Sequence, residues 1–384
     1  MAEGDRDERS GADRLGGRDE DGFGMAGPVA LPRPHGTIPA LDGFRAIAIV
    51  IVMLSHVGLA PYVPGQFGVT LFFFLSGYLI TTLLRRELSD DGKVSFKAFY
   101  LRRAVRIIPP MWAAICLAIL FSAIGLSHPL NPEWLPADFA FLSNYFQYSS
   151  VPIGLWSLAV EEHFYLLFPV AAIALAARRG PTACAIACAL VCLLVLGIRA
   201  IEFQRLANPA EIAFYTHTRL DSILFGAILA LWNNPVIDAE DRLPDVLPAY
   251  FIGGALLLIS FLVRDETFRF TVRYTVQGVA LILIFNAAIR DTRIAHRLLE
   301  NAPLKWIGLL SYLLYLLHGI FLNAAKPLGA VFGHIGAMVI GLALTFAVSY
   351  ALHIHMERPL ARWRRDIERG WRTADELRTA QSRP

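Results

Sequence analysis

Ten runs of apolar residues, each close to twenty long, follow one another along this chain and limit what it can become. They lie at about 38–60, 66–84, 107–127, 156–176, 181–200, 218–233, 248–264, 273–290, 305–323 and 329–352. About twenty apolar residues cross a bilayer as a helix, and a helix satisfies its backbone polar groups internally. The expected fold is therefore all-α: a polytopic integral membrane protein of about ten transmembrane helices. Composition agrees, since 55% of the residues are hydrophobic and only 17% are charged, outside the usual soluble range. The sixth run, TRLDSILFGAILALW, is short and opens on Arg219 and Asp221, which suggests a tilted, broken or partly re-entrant span.

Residues 1–37 are rich in Asp, Glu, Arg and Gly and have too little apolar surface to fold, so they read as a disordered cytoplasmic arm. No cleavable signal peptide precedes the first run, so the first helix is expected to direct insertion. A membrane domain over 38–360 and a basic cytoplasmic tail over 361–384 complete the organisation. Lys and Arg are retained on the cytoplasmic side. The Arg85 to Arg106 segment, Arg178, Arg179 and the tail, ERPLARWRRDIERGWR, then put both termini in the cytoplasm. Two segments run against that pattern: RDETFRFTVR outside and the acidic NNPVIDAEDRLPD inside. The net charge of +3 averages over this segregation, and no nucleic-acid partner is expected.

Several polar groups have no reason to face lipid, where an ionisable side chain costs at least a few kcal/mol. In RAIAIVIVMLSH, Arg45 and His56 stand eleven residues apart, on one helix face about 16 Å from each other. This reading sets Arg45 near the cytoplasmic surface and His56 deep, towards the outer leaflet, with Asp42 beside the entrance. In FYLRRAVRIIPP, Arg102, Arg103 and Arg106 precede a span expected to begin at Pro109 and Pro110. Three guanidiniums there serve as topology signals or as a phosphate clamp. WSLAVEEHFYLLFP sets Ser157, Glu161 and Tyr165 at spacing four, with Glu162 alongside. An ion pair with Arg219 is one structural explanation for these glutamates, and His163 suits a structural hydrogen bond. SYLLYLLHG adds Tyr312, Tyr315 and His318, whereas His353 and His355 read as interfacial. Cys184, Cys188 and Cys192 recur every fourth residue without the pairs or polar partners of a thiolate site, so packing is expected and no metal.

These segments resemble the membrane-bound acyltransferase-3 family, the O-acetyltransferase-like integral membrane enzymes. LDGFRAIAIVIVMLSH, GVTLFFFLSGYLI, FYLRRAVRIIP, WSLAVEEHFYLLFP, TRLDSILFGA, SYLLYLLHG and ERP follow in the family's order over about 38–360. Phe44, Ala46 and His163 stand where Leu, Gly and Gln are usual. The resemblance implies transfer of an acyl group, usually acetyl from acetyl-CoA, to a hydroxyl of a carbohydrate or other acceptor, with acyl-CoA as co-substrate and no bound cofactor. On that basis His56, Glu161 and Arg45 are the expected catalytic groups. Arg102, Arg103 and Arg106 would bind the donor, and Asp42, Ser157, Tyr165, Arg219, Asp221 and His318 would support them. A neutral imidazole suits proton abstraction from a sugar hydroxyl. The expected setting is a bacterial inner membrane, with a surface polysaccharide or glycolipid as acceptor and membrane lipid around the bundle. The alternatives are a small-molecule acceptor such as a macrolide, or a transporter of a sugar or small ion.

Overall fold

The computed structural model describes residues 39–127, 129–146, 154–291 and 293–381, excluding the side chains of Pro39 and 372–381. The arm expected over residues 1–37 lies outside the described residues. Among these residues the fold is all-α, in twelve α-helices joined by short turns. Six helical stretches are long and apolar enough to cross a membrane. One of them, α5 (Leu155–Arg205), is 51 residues long but breaks at Gly180, whose φ of 81° and ψ of 168° reverse the chain just before Pro181. A side-chain-bearing residue rarely adopts that conformation, so one long helix becomes the two spans the apolar pattern implies.

At the centre stand α2 (Gly65–Asp91) and α6 (Thr216–Trp232), which pack along much of their length. GVTLFFFLSGYLI is apolar on every side, as suits a helix surrounded by others, and α2 is accordingly buried on all faces. The two helices run parallel: Thr70 meets Arg219 near their beginnings and Thr82 meets Asn234 near their ends. Gly77 and Gly226 allow the contact, because a Cβ on either would collide with backbone oxygens of the opposite helix, Ile223 and Phe74. Small residues at such crossings let helices approach closely where apolar burial alone gives no preference. Around this pair lie α1 (Pro39–Leu54), α10 (Ala302–Ala325) and α8 (Arg273–Arg290); α7 (Val246–Leu262) packs on α8, and α11 (Gly329–Leu352) on α10. Outward-facing Leu166, Leu167, Leu193, Leu194 and Val331 are 62–75% exposed, a surface suited to lipid tails.

Four expectations need correction. Helix α3 (Phe96–Ala123) begins well before Pro109 and Pro110, which lie inside it; Ser95 caps its start by accepting from the Ala98 amide at 3.3 Å. Arg102, Arg103 and Arg106 are therefore helical, not in a loop. The sixth run forms an unbroken helix, α6, because Arg219 and Asp221 find partners inside the bundle. Regular helix α1 ends at Leu54, and Ser55–Leu59 form a wider π-turn closed by Gly58 at φ 88°. Finally, His353 is fully buried and bonds Glu357 at 2.7 Å rather than facing an interface. The segment after it forms α12 (Arg358–Gln381), which folds back on α3: Lys97 lies 4.0 Å over the Trp371 ring.

Candidate active site

Five helices enclose a cavity in the bundle, with Arg45 from α1, Ser76 from α2, Arg103 and Arg106 from α3, and Glu161 and Tyr165 from α5 among its lining. Phe72 and the α10 residues Ser311, Tyr312 and Tyr315 complete that wall. Glu161 is held at both oxygens: Ser76 Oγ donates to Oε1 at 2.9 Å and Tyr165 OH to Oε2 at 3.2 Å. The spacing-four pattern thus brings Tyr165 and Glu161 together, one turn apart. Arg103 stacks 5.3 Å from the Tyr165 ring. Among the described residues, Arg45, Arg103 and Arg106 form no ion pair with a carboxylate. Three guanidiniums against one carboxylate that is already hydrogen-bonded make the cavity suited to an anion, since fixed donors pair well with phosphate oxygens.

From this cavity a line of polar groups leads along α10. Ser157 Oγ and Tyr315 OH lie 2.6 Å apart, one donating to the other, and both are within hydrogen-bond distance of the Gly154 carbonyl, at 2.9 and 3.0 Å. The Tyr315 ring is 5.8 Å from that of His318, and the His318 ring meets His56 edge to face at 4.9 Å. His56 Nδ1 is 2.8 Å from the Val52 carbonyl, and His318 Nδ1 is 2.7 Å from the Tyr315 carbonyl. A carbonyl only accepts, so Nδ1 carries the proton in each ring. Neutral imidazole then leaves Nε2 as the lone-pair nitrogen. His318 is buried, while His56 is exposed in the π-turn. The early end of α1 places His56 in the turn that follows it rather than on the regular helix.

The remaining expected residues lie elsewhere. Arg102 points away from the cavity, 3.2 Å from Glu87 and 3.9 Å from Glu368 of α12. Asp42 is buried in the first turn of α1, against α10 at Gly308. Arg219 donates to Thr70 Oγ1 at 2.9 Å and stacks 3.8 Å over Tyr274, so no ion pair joins it to Glu161 or Glu162. Asp221 pairs with Arg199 at 2.6 Å, both fully buried. His163 bonds Thr216 at 2.7 Å. Cys184, Cys188 and Cys192 are free and buried, and among the described residues no three His, Cys, Asp or Glu form a metal-binding group. Sequence reasoning missed Ser76, Arg199 and Glu368. A single serine in the apolar run FFFLSGYLI was the available signal for Ser76.

Comparison with known proteins supplies the context for this arrangement. Over 347 residues the chain is 29% identical to O-acetyltransferase OatA of Staphylococcus aureus (strain NCTC 8325 / PS 47), covering 84% of this chain and 57% of that protein. It is likewise 29% identical over 360 residues to YrhL of Bacillus subtilis (strain 168), named provisionally as a peptidoglycan O-acetyltransferase, covering 85% and 55%. The chain thus spans little more than half the length of these curated relatives. No solved structure matches it. The family model of the acyltransferase domain, acyltransferase-3, matches residues 38–354, the whole helical bundle from α1 to the turn after α11, and the chain belongs to that family.

Proposed function

We propose that this protein is a membrane O-acetyltransferase that moves acetyl from acetyl-CoA to a hydroxyl of a cell-envelope glycan, peptidoglycan being the class named for a relative. The observation that carries this reading is a cavity lined by three guanidiniums that make no carboxylate ion pair among the described residues, followed by Ser157, Tyr315 and His318 towards an exposed imidazole at His56. Both termini face the cytoplasm of a bacterial inner membrane, with Arg103 and Arg106 receiving donor phosphates from that side. Arg45 and Glu161 hold the acyl arm within the bundle. His56 Nε2 takes the proton of the acceptor hydroxyl as its oxygen bonds the thioester carbonyl carbon. The tetrahedral adduct collapses by breaking the carbon–sulfur bond, and the CoA thiolate takes the proton from His56. The Nδ1 bond to Val52 fixes the ring's tautomer throughout.

Purified protein in proteoliposomes, given radiolabelled acetyl-CoA and envelope glycan, provides the test. Label should pass to the glycan as an alkali-labile ester. Neither ester formation nor acetyl-CoA consumption above that of protein-free liposomes would contradict the reading.

A further inference from the structure

The basic segment ERPLARWRRDIERGWR adds no side chain to the donor cavity, and the helix it forms, α12, has two unlike sides. Leu360, Ile367, Glu368 and Trp371 lie along one side and are half-buried. This side meets α3: Glu368 is 3.9 Å from Arg102, and Lys97 lies 4.0 Å over the Trp371 ring. Arg362, Trp363 and Arg365 are exposed on the other.

The outer side carries a row of charge. Arg358, Arg362 and Arg365 recur at spacings of four and three, which sets them within about 60° of one another around the helix and along about 10 Å of its length. None of the three makes an ion pair among the described residues. Asp366 beside them is 3.5 Å from Arg369. Like charges at these spacings destabilise a helix unless something neutralises them. Trp363, 52% exposed, borders the row.

Both ends of this segment are tied to the bundle at the level of the bilayer. Helix α12 continues from α11 through the π-turn His353–Glu357, and α11 turns Ile335, Val339 and Leu344 outward. Near the end of α11, the Tyr350 ring lies 6.2 Å from that of Trp306, an aromatic pair of the kind found where hydrocarbon gives way to headgroups. At the far end, Trp371 is held by Lys97 of α3. Tyr100, one turn further along α3, donates to the Leu166 carbonyl at 2.9 Å, and Leu166 itself faces outward. Helix α12 therefore runs along the side of the bundle and does not stand away from it.

Given a bilayer around the bundle, we propose that the outer face of α12 docks the headgroups of anionic phospholipids, with Arg358, Arg362 and Arg365 pairing with phosphates and Trp363 entering the interfacial layer. Basic clusters directly after a membrane span are drawn to anionic lipid. Guanidinium groups pair with phosphate oxygens through parallel N–H bonds, and tryptophan favours the boundary between apolar and polar layers. Soluble donor phosphates would leave Trp363 in water, and zwitterionic headgroups bring no net charge to the row.

Trp363 itself reports the lipid beside it. Wild-type protein and Trp363→Phe are reconstituted in phosphatidylcholine bilayers holding the same small fraction of dibrominated phosphatidylglycerol or dibrominated phosphatidylcholine, and the difference in quenching isolates Trp363. Phosphatidylglycerol should quench it more strongly. Arg362→Gln and Arg365→Gln, each with its own Trp363→Phe control, should each weaken that preference about fivefold, and raised salt should weaken it further. Arg178→Gln, at an exposed arginine before the Gly180 break, should leave it unchanged. Equal quenching by the two lipids in wild-type protein, or an unchanged preference in an Arg362→Gln, Arg365→Gln double variant that melts normally, would overturn the proposal. Loss of the preference on adding acetyl-CoA at constant ionic strength would overturn it too, by assigning the row to the donor. No glycan or transfer step enters this measurement, so its failure leaves acetyl transfer to be judged by its own assay.

Discussion

Glu161 receives one hydroxyl donor on each oxygen while Arg103 stacks on the tyrosine that supplies one of them, so carboxylate and guanidinium share a support without pairing. That arrangement leaves Arg103 and Arg106 without a carboxylate ion pair among the described residues, as the proposed donor-phosphate role requires, and Arg102 paired with Glu87. Arg106→Ala should therefore raise the KM for acetyl-CoA with little change in kcat, as loss of uniform donor binding does. Arg102→Ala should change KM far less, and steady-state kinetics with abundance-matched protein decide between them. Unchanged kinetics in both variants, with normal insertion and abundance, would leave only the topology role. The pattern of polar groups in apolar runs made Arg45, Glu161 and Tyr165 legible, because idle charge at that depth is costly. It did not separate Arg102 from its neighbours. Successive helical residues turn by about 100°, and only the packed helix decides which one meets Glu87.

The central helices owe their contact to two glycines, and this sets a second expectation. Gly77→Ala forces a methyl into the Ile223 carbonyl, which should cost about 1–3 kcal/mol and lower the melting temperature in detergent. Gly254, with open space around it, should accept alanine without that loss. The acidic loop that ran against the charge pattern also has an explanation. Burial would raise the Asp238 carboxyl, but Arg85 bonds it at 2.8 and 3.2 Å and the Asn234 amide at 2.7 Å, holding it below its usual value. Asp241 pairs likewise with Arg290 at 2.7 Å. A lowered carboxyl stabilises the fold above its unfolded value, about 3.9, and that contribution fades as pH falls through the lowered folded value. Asp238→Asn should thus melt earlier than wild type at neutral pH, and the gap should narrow in acid. The all-α class and most of the long helices were legible from apolar run length, while six helical stretches rather than ten are long and apolar enough to cross a membrane. The break at Gly180 and the prolines inside α3 were not resolvable in detail, since proline signals both a helix's first turn and a kink within it. The π-turn at Ser55–Leu59 had only Gly58 to announce it.

Across the whole molecule, polar groups turn inward along one route while apolar side chains of α5 and α11 face outward, the arrangement expected where the solvent is lipid. Its orientation is open to labelling in a Cys116→Ser background. Ser95 is exposed between α2 and α3, and Glu133 is exposed in the segment before α5, whereas Ser143 is 4% exposed and unsuitable. A cysteine at Ser95 should react with an impermeant maleimide only from the cytoplasmic side, and one at Glu133 only from outside. Reversed accessibility would invert the bundle. The central claim is that acyl transfer ends at His56. Its most direct test is acceptor-dependent labelling from acetyl-CoA by purified His56→Ala protein, beside His56→Gln as a variant that cannot take the proton. Turnover should fall at least about a hundredfold in both, the lower range of a positioned general base, with normal insertion and melting temperature. Near wild-type labelling of the glycan by His56→Ala would contradict the account.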